Sequence, residues 1–113
     1  MIYSTSNIEA IAGGDLAFVK SIVAIFIETS TNCVSEINKG IASENGASIK
    51  FNAHQLKPSI DLFEIEEGKQ LVRDLELEST VEFADFKTLA LKAASFTEII
   101  ESVNKALKED FLI

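Results

Sequence analysis

This chain of 113 residues contains one cysteine, one histidine, one proline and no tryptophan. These low counts limit the kinds of covalent link and catalytic site that the chain can form. The single cysteine, Cys33, excludes an internal disulfide and fits a reducing compartment. With one histidine and one cysteine, no Ser–His–Asp or zinc site is evident, so a hydrolase or metal enzyme is a distant alternative. A chain that is 47% hydrophobic with only 5 glycines is typical of a compact helical domain.

Positive charge is also scarce. The chain has 10 Lys and Arg residues against 18 Asp and Glu residues, which gives a net charge of −8. Nucleic acids and anionic membranes are therefore poor partners for the chain as a whole. The N-terminus lacks the basic and apolar regions of a signal peptide, and no apolar run approaches the roughly 18 residues of a membrane span. We expect a soluble, cytoplasmic protein that is monomeric.

The spacing of apolar residues predicts a short helix over residues 5–12 and longer helices over about 15–41, 47–62, 66–77 and 84–109. The short connections predict an all-α fold, an antiparallel four-helix bundle with a short extra N-terminal helix, forming one domain over residues 1–113. Phe18 and Ile25 lie off the apolar stripe of their helix, and we expect residues 5–12 to cover them. Ser95 begins a capping-box sequence, so the last helix could kink or restart there.

The single histidine lies on the outer face of the helix over 47–62. The apolar stripe of that helix is Ile49, Ala53, Leu56, Ile60 and Phe63. At about 100° per residue, His54 lies about 140° from the centre of this stripe and points away from the core. A neutral imidazole is nucleophilic near pH 7, so an outward imidazole with a lysine one turn away is suited to carry a phosphoryl group.

The sequence around His54 is Ala53-His54-Gln55-Leu56-Lys57-Pro58-Ser59. It resembles the pattern Ala-His-x-Leu-Lys-Gly-Ser of the histidine-containing phosphotransfer (HPt) domains of bacterial two-component phosphorelays. The resemblance covers roughly residues 5–78 and includes the long helix before the motif. It departs from the family pattern at Pro58, where the family usually has glycine.

The resemblance implies a phosphocarrier, which accepts a phosphoryl group on His54 from one receiver-domain aspartate and passes it to another. It implies response-regulator receiver domains and a hybrid sensor histidine kinase as partners, with Mg²⁺ and the aspartate supplied by the receiver. The chain itself would hold no cofactor or metal and would not be a kinase, since it has no nucleotide-binding loop. Lys57, at i+3, would bind phosphoryl oxygens.

Three neighbours of His54 are candidate partner-binding residues. Lys50 would add positive potential, although a solvated lysine is the simpler reading. Phe51 lies off the apolar stripe, and either packs beneath the N-terminal helix or belongs to a docking surface. Pro58 removes the N–H that would bond the His54 carbonyl, which predicts a bend or local loosening of the helix. Pro58 also supports the alternative function, a helical interaction module that binds a signalling partner without phosphate.

Overall fold

The computed structural model describes residues 2–113, which contain five helices and no strand. The helices are α1 (Ser6–Ala12), α2 (Leu16–Ala42), α3 (Gly46–Leu62), α4 (Glu66–Glu78) and α5 (Phe86–Phe111). Helices α2 to α5 pack in a closed ring of neighbours, since α2 contacts α3, α3 contacts α4, α4 contacts α5 and α5 returns to α2. Because the connections are short, neighbouring helices are antiparallel. The predicted bundle is confirmed, and α1 packs on α2 as the extra helix.

The three longest helices begin at residues whose side chains cap them. The side chain of Asp15 accepts a hydrogen bond from the backbone of Phe18, and Asn45 and Asp85 do the same for α3 and α5. Each cap satisfies a backbone N–H that has no partner within its own helix, so these sequences fix where the helices start.

Gly46 brings the start of α3 against the end of α4. A Cβ atom at this position would lie 2.0 Å from the carbonyl oxygen of Ser79, a distance that no side chain tolerates. The close approach is therefore possible only with glycine. The contact fixes the axial position of α3 relative to α4. That position determines which residue of α4 lies opposite His54.

The inner faces of the helices form one core, and the predicted stripe of α3 lies in it with all five residues at most 1% exposed. This packing against α2 and α4 holds α3 together, since most helical stability comes from tertiary contacts. The helix runs from Gly46 to Leu62 without a break, although Pro58 lies inside it. Helix α5 also passes through Ser95 without interruption, so the restart considered for that position does not occur.

One expectation for α2 needs correction. Phe18 is 40% exposed and Ile25 is 60% exposed, so residues 5–12 leave both on the surface. The reason is that α1 buries only Ile8 and is too short to shield a second stripe of α2. Helix α2 is also long and apolar enough, by length and composition, to cross a membrane, although it contains no unbroken apolar run of that length. Its inner face packs in the core of the bundle, as in core helices that pass the same test.

Candidate phosphoacceptor site

His54 lies in the middle of α3 with its imidazole exposed. Ala53, one residue before His54, and Leu56, two residues after it, are completely buried, while 72% of the His54 side chain is accessible. The helix is thus anchored on one face and presents the imidazole on the other. A partner molecule can approach the ring without disturbing the core.

A carboxylate from α4 holds one edge of this ring. Oε1 of Glu76 lies 3.0 Å from Nδ1 of His54, and only 9% of the Glu76 side chain is exposed. A carboxylate can only accept a hydrogen bond, so Nδ1 must carry the proton. In the neutral ring the other nitrogen, Nε2, is then unprotonated and has a free lone pair.

The second oxygen of Glu76 faces a lysine. Nζ of Lys57 lies 3.2 Å from Oε2 of Glu76. Within the described residues Oε2 has no hydrogen-bond partner of good geometry, so this contact is an ion pair. Glu76 therefore connects the imidazole to the lysine that the sequence placed on the same face of the helix.

These contacts keep Glu76 ionised. The hydrogen bond from His54 lowers the pKa of Glu76 below its ordinary 4.5, and the neighbouring Lys57 acts in the same direction, while burial opposes both. The negative charge of Glu76 is consequently present throughout the neutral pH range. It is available to stabilise positive charge on the imidazole.

An apolar groove opens beside the imidazole. It has a volume of about 440 Å³ and is lined by Ala47, Lys50, Phe51, His54, Glu76 and Thr80. Phe51 is 68% exposed and forms part of its wall, so the reading in which it packs beneath the N-terminal helix is wrong. The structure thus brings Lys50 and Phe51 together with His54 along one groove.

The remaining two predicted residues lie outside that groove. Pro58 is exposed one turn after His54, where its ring leaves the imidazole accessible. Lys57 is partly buried against Glu76 on the α4 side. Among the predicted residues, therefore, Lys57 is the one tied to His54 through a shared partner.

Glu76 is the residue that sequence reasoning missed. It follows Leu75 and lies four residues after Val72, on the buried side of α4, which also includes Gly68. A carboxylate on a buried helix face needs a cationic or hydrogen-bonding partner. That conflict between charge and position was visible in the sequence, and the lone histidine was a candidate partner.

Comparison with protein-family models gives a match to the Hpt domain over residues 21–109. The match begins inside α2 and includes α5, where the resemblance noted from the residues alone was weaker. No curated protein and no solved structure matches the chain significantly. The family match covers most of the chain, and it agrees with the helical bundle and with the outward histidine on its second long helix. The chain therefore belongs to the Hpt domain family, whose members are phosphocarriers in phosphorelays rather than enzymes with a catalytic site of their own.

Proposed function

We propose that this protein carries a phosphoryl group on Nε2 of His54, accepting it from the phosphoaspartate of one receiver domain and delivering it to the aspartate of another. One observation carries the proposal: an exposed imidazole whose Nδ1 faces a nearly buried carboxylate, in a chain of the Hpt family. The hydrogen bond leaves Nε2 both unprotonated and accessible, and these are the two requirements for a nucleophile.

The transfer uses the two ring nitrogens differently. The lone pair of Nε2 attacks phosphorus, a P–N bond forms, the P–O bond to the aspartate breaks, and the aspartate leaves as a carboxylate. No proton moves, because Nδ1 keeps its hydrogen. The ring therefore gains positive charge as the bond forms, and Glu76, at 3.0 Å, stabilises that charge as carboxylates do for other imidazolium groups. In the reverse direction the charged ring is a good leaving group.

Lys57 supplies the second electrostatic contribution. Phosphoryl transfer depends mainly on positioning and on neutralising charge on the equatorial oxygens. Lys57 lies one turn from His54 on the same face and is held by Glu76. Its ammonium can turn from the carboxylate to an incoming phosphoryl oxygen, while Glu76 retains its bond to the imidazole. Glu76 acts through His54 and Lys57, so it is a positioning residue.

The partner completes the site. In this proposal a receiver domain brings the aspartate together with the Mg²⁺ bound in its acidic pocket, and the chain contributes no metal. Lys50 and Lys57 bring two positive charges close to His54 on a protein of net charge −8. Glu76 offsets the charge of Lys57, and the charge of Lys50 favours an acidic partner surface. Phe51 gives the apolar part of the contact and Pro58 borders it. A hybrid sensor kinase would be the upstream source, and the exchange would take place in the cytoplasm with a monomeric carrier.

Label transfer tests the proposal. The protein is incubated with ³²P-labelled receiver domains from the genome of origin, and with phosphoramidate, a small phosphoryl donor that needs no protein partner. We expect acid-labile label on the protein and none on the His54→Gln variant, with unchanged circular dichroism. Label that persists on His54→Gln would contradict the assignment of His54. A protein that takes no label from any donor would instead be the phosphate-independent interaction module.

A further inference from the structure

The end of α4 that carries Glu76 combines three carboxylates with little apolar packing. Asp74, Glu76 and Glu78 lie in the last five residues of the helix, and its last turn contains no basic residue. The negative end of the helix dipole disfavours carboxylates at these positions. Leu75 is the last buried apolar residue of α4, so the final turn lies beyond the apolar core. This end therefore depends on positive charges from the neighbouring helices, and Lys57 of α3 is one of them.

Lys92 of α5 supplies positive charge to the other two carboxylates. Its Nζ donates hydrogen bonds to Oδ2 of Asp74 at 3.1 Å and to Oε1 of Glu78 at 2.9 Å. Asp74 and Glu78 are four residues apart on one helix, so their like charges would repel each other without the ammonium between them. The hydrogen bonds to Glu78 and Asp74 raise the pKa of Lys92 above its ordinary 10.5, so its charge is present at neutral pH.

Lys92 and His54 contact opposite sides of α4. At about 100° per residue, Glu76 lies about 160° round the helix from both Asp74 and Glu78. Lys92 thus holds the side of α4 that faces α5, while the side that faces α3 carries the carboxylate that meets the imidazole. A rotation of this end about the helix axis would move Glu76 away from His54 and would also break the ion pairs of Lys92. The ion pairs of Lys92 therefore oppose the motion that would separate Glu76 from His54.

We infer that Lys92 is a positioning residue for phosphoryl transfer, and that it keeps the carboxylate of Glu76 against the imidazole of His54. The inference rests on the proposed function. Helix α4 lies between α5 and α3 in the ring of helices, so Lys92 acts on the imidazole through α4. When Glu76 moves away, the proton of the neutral ring is shared between the two nitrogens. A ring with its proton on Nε2 has no lone pair there for attack on phosphorus, so transfer slows.

Substitutions of Lys92 test this inference. Lys92→Gln removes the charge and keeps a polar side chain, whereas Lys92→Arg is the conservative variant and should keep both ion pairs. Lys105→Gln is the matched control, because it removes one positive charge from an exposed position of the same helix. Melting temperatures verify that each variant is folded at the assay temperature. If Lys92→Gln is not, Glu78→Gln takes its place, since it removes one of the two ion pairs from the α4 side.

The first measurement is ¹⁵N NMR of the imidazole in the unphosphorylated protein. His54 is the only histidine of the chain, so the ring signals belong to it alone. We expect the ratio of rings protonated on Nδ1 to rings protonated on Nε2 to fall about threefold or more in Lys92→Gln. Lys92→Arg and Lys105→Gln should keep the ratio of the unaltered protein. An unchanged ratio in Lys92→Gln, or an equal fall in Lys105→Gln, would overturn the inference.

The second measurement is the rate of labelling by phosphoramidate, alone and in a double-mutant cycle. We expect Lys92→Gln to take label about threefold or more slowly, and Lys92→Arg and Lys105→Gln to stay within about twofold of the unaltered protein. When Glu76→Ala has already removed the carboxylate, Lys92→Gln should have little further effect, because both act through one residue. Additive effects would overturn the inference and leave the proposed function intact. If no donor labels the unaltered protein, the proposed function fails, and the inference fails with it.

Discussion

Glu76 meets His54 across the interface between α4 and α3, with Oε1 of the carboxylate 3.0 Å from Nδ1 of the imidazole. The two residues are 22 positions apart in sequence, so the fold and not the local motif creates the pair. The carboxylate is nearly buried and the imidazole is mostly exposed. The pair therefore fixes the ring from the protein side and leaves Nε2 for the partner.

Replacing Glu76 with glutamine tests how much its charge contributes to transfer. The amide can still accept from Nδ1, but it carries no negative charge to stabilise the developing imidazolium. A charged hydrogen bond contributes about 1.5 kcal/mol more than a neutral one, so we expect label transfer to slow about tenfold. The matched control is Glu67→Gln, an exposed position of the same helix. Equal rates for both variants would show that Glu76 has only a structural role.

The lowered pKa of Glu76 also predicts a dependence of stability on pH. A carboxyl group whose pKa is lower in the folded protein stabilises the fold above its unfolded pKa of 4.5, and this contribution is lost as pH falls through the lower folded value. Urea unfolding of the unaltered protein should therefore show a decline in stability below pH 4.5 that is smaller in Glu76→Gln. Parallel declines in the two proteins would contradict the pairing.

Lys57→Ala should affect both chemistry and stability. Removal of the ammonium takes a charge-assisted contact from the phosphoryl group, which predicts a transfer rate about tenfold lower at saturating receiver. It also leaves Oε2 of Glu76 unpaired, at a cost of about 1 kcal/mol in the free energy of unfolding. Lys50→Ala is the comparison, and should raise Kd at low salt with little effect on the saturated rate. If the saturated rate of Lys57→Ala is unaltered, Lys57 serves only to neutralise Glu76.

Phe51→Ala should weaken docking without loss of stability. Phe51 is 68% exposed, so its truncation removes little packing, whereas exposed aromatic residues often anchor interfaces. We expect receiver binding to weaken by about 1 kcal/mol or more, with a small change in melting temperature. Leu91→Ala, which truncates a side chain that is 69% exposed on α5, is the control. A lower melting temperature with unchanged Kd would assign Phe51 to packing.

Pro58→Gly would restore the family pattern. Glycine returns the N–H to the His54 carbonyl and removes the crowding by the ring, but it also frees the unfolded chain. Because α3 already continues through Pro58, these opposing effects should leave the unfolding free energy within about 1 kcal/mol. Transfer should be retained or modestly faster. Loss of transfer would show that the proline itself positions His54, and label on the glycine variant alone would favour the interaction module.

The helices and the phosphoacceptor were predictable because both follow from local patterns. The apolar stripe of α3 and the caps at Asp15 and Asn45 are properties of neighbouring residues. The position of the same stripe on the helix predicts that His54 points away from the core. Glu76 was not predicted because its role depends on the axial position of α4 relative to α3. The contact at Gly46 fixes that position, and the periodicity of a single helix does not reveal it.

Exposure was harder to predict than helix position. Phe18 and Ile25 look like residues that something must cover, yet they remain exposed. Apolar residues are common on protein surfaces, and periodicity identifies a second stripe without showing whether a neighbour reaches it. The same uncertainty applied to Phe51, and only the arrangement of α3 and α4 resolved it.

The most direct test of the account is the position of the phosphoryl group on the imidazole of His54. The protein is enriched in ¹⁵N, labelled with phosphoramidate and examined by ³¹P and ¹⁵N NMR. We predict a single phosphohistidine in which phosphorus is coupled to Nε2 and Nδ1 retains its proton, hydrogen-bonded to Glu76. Phosphorus coupled to Nδ1, or no phosphohistidine at all, would contradict the central claim.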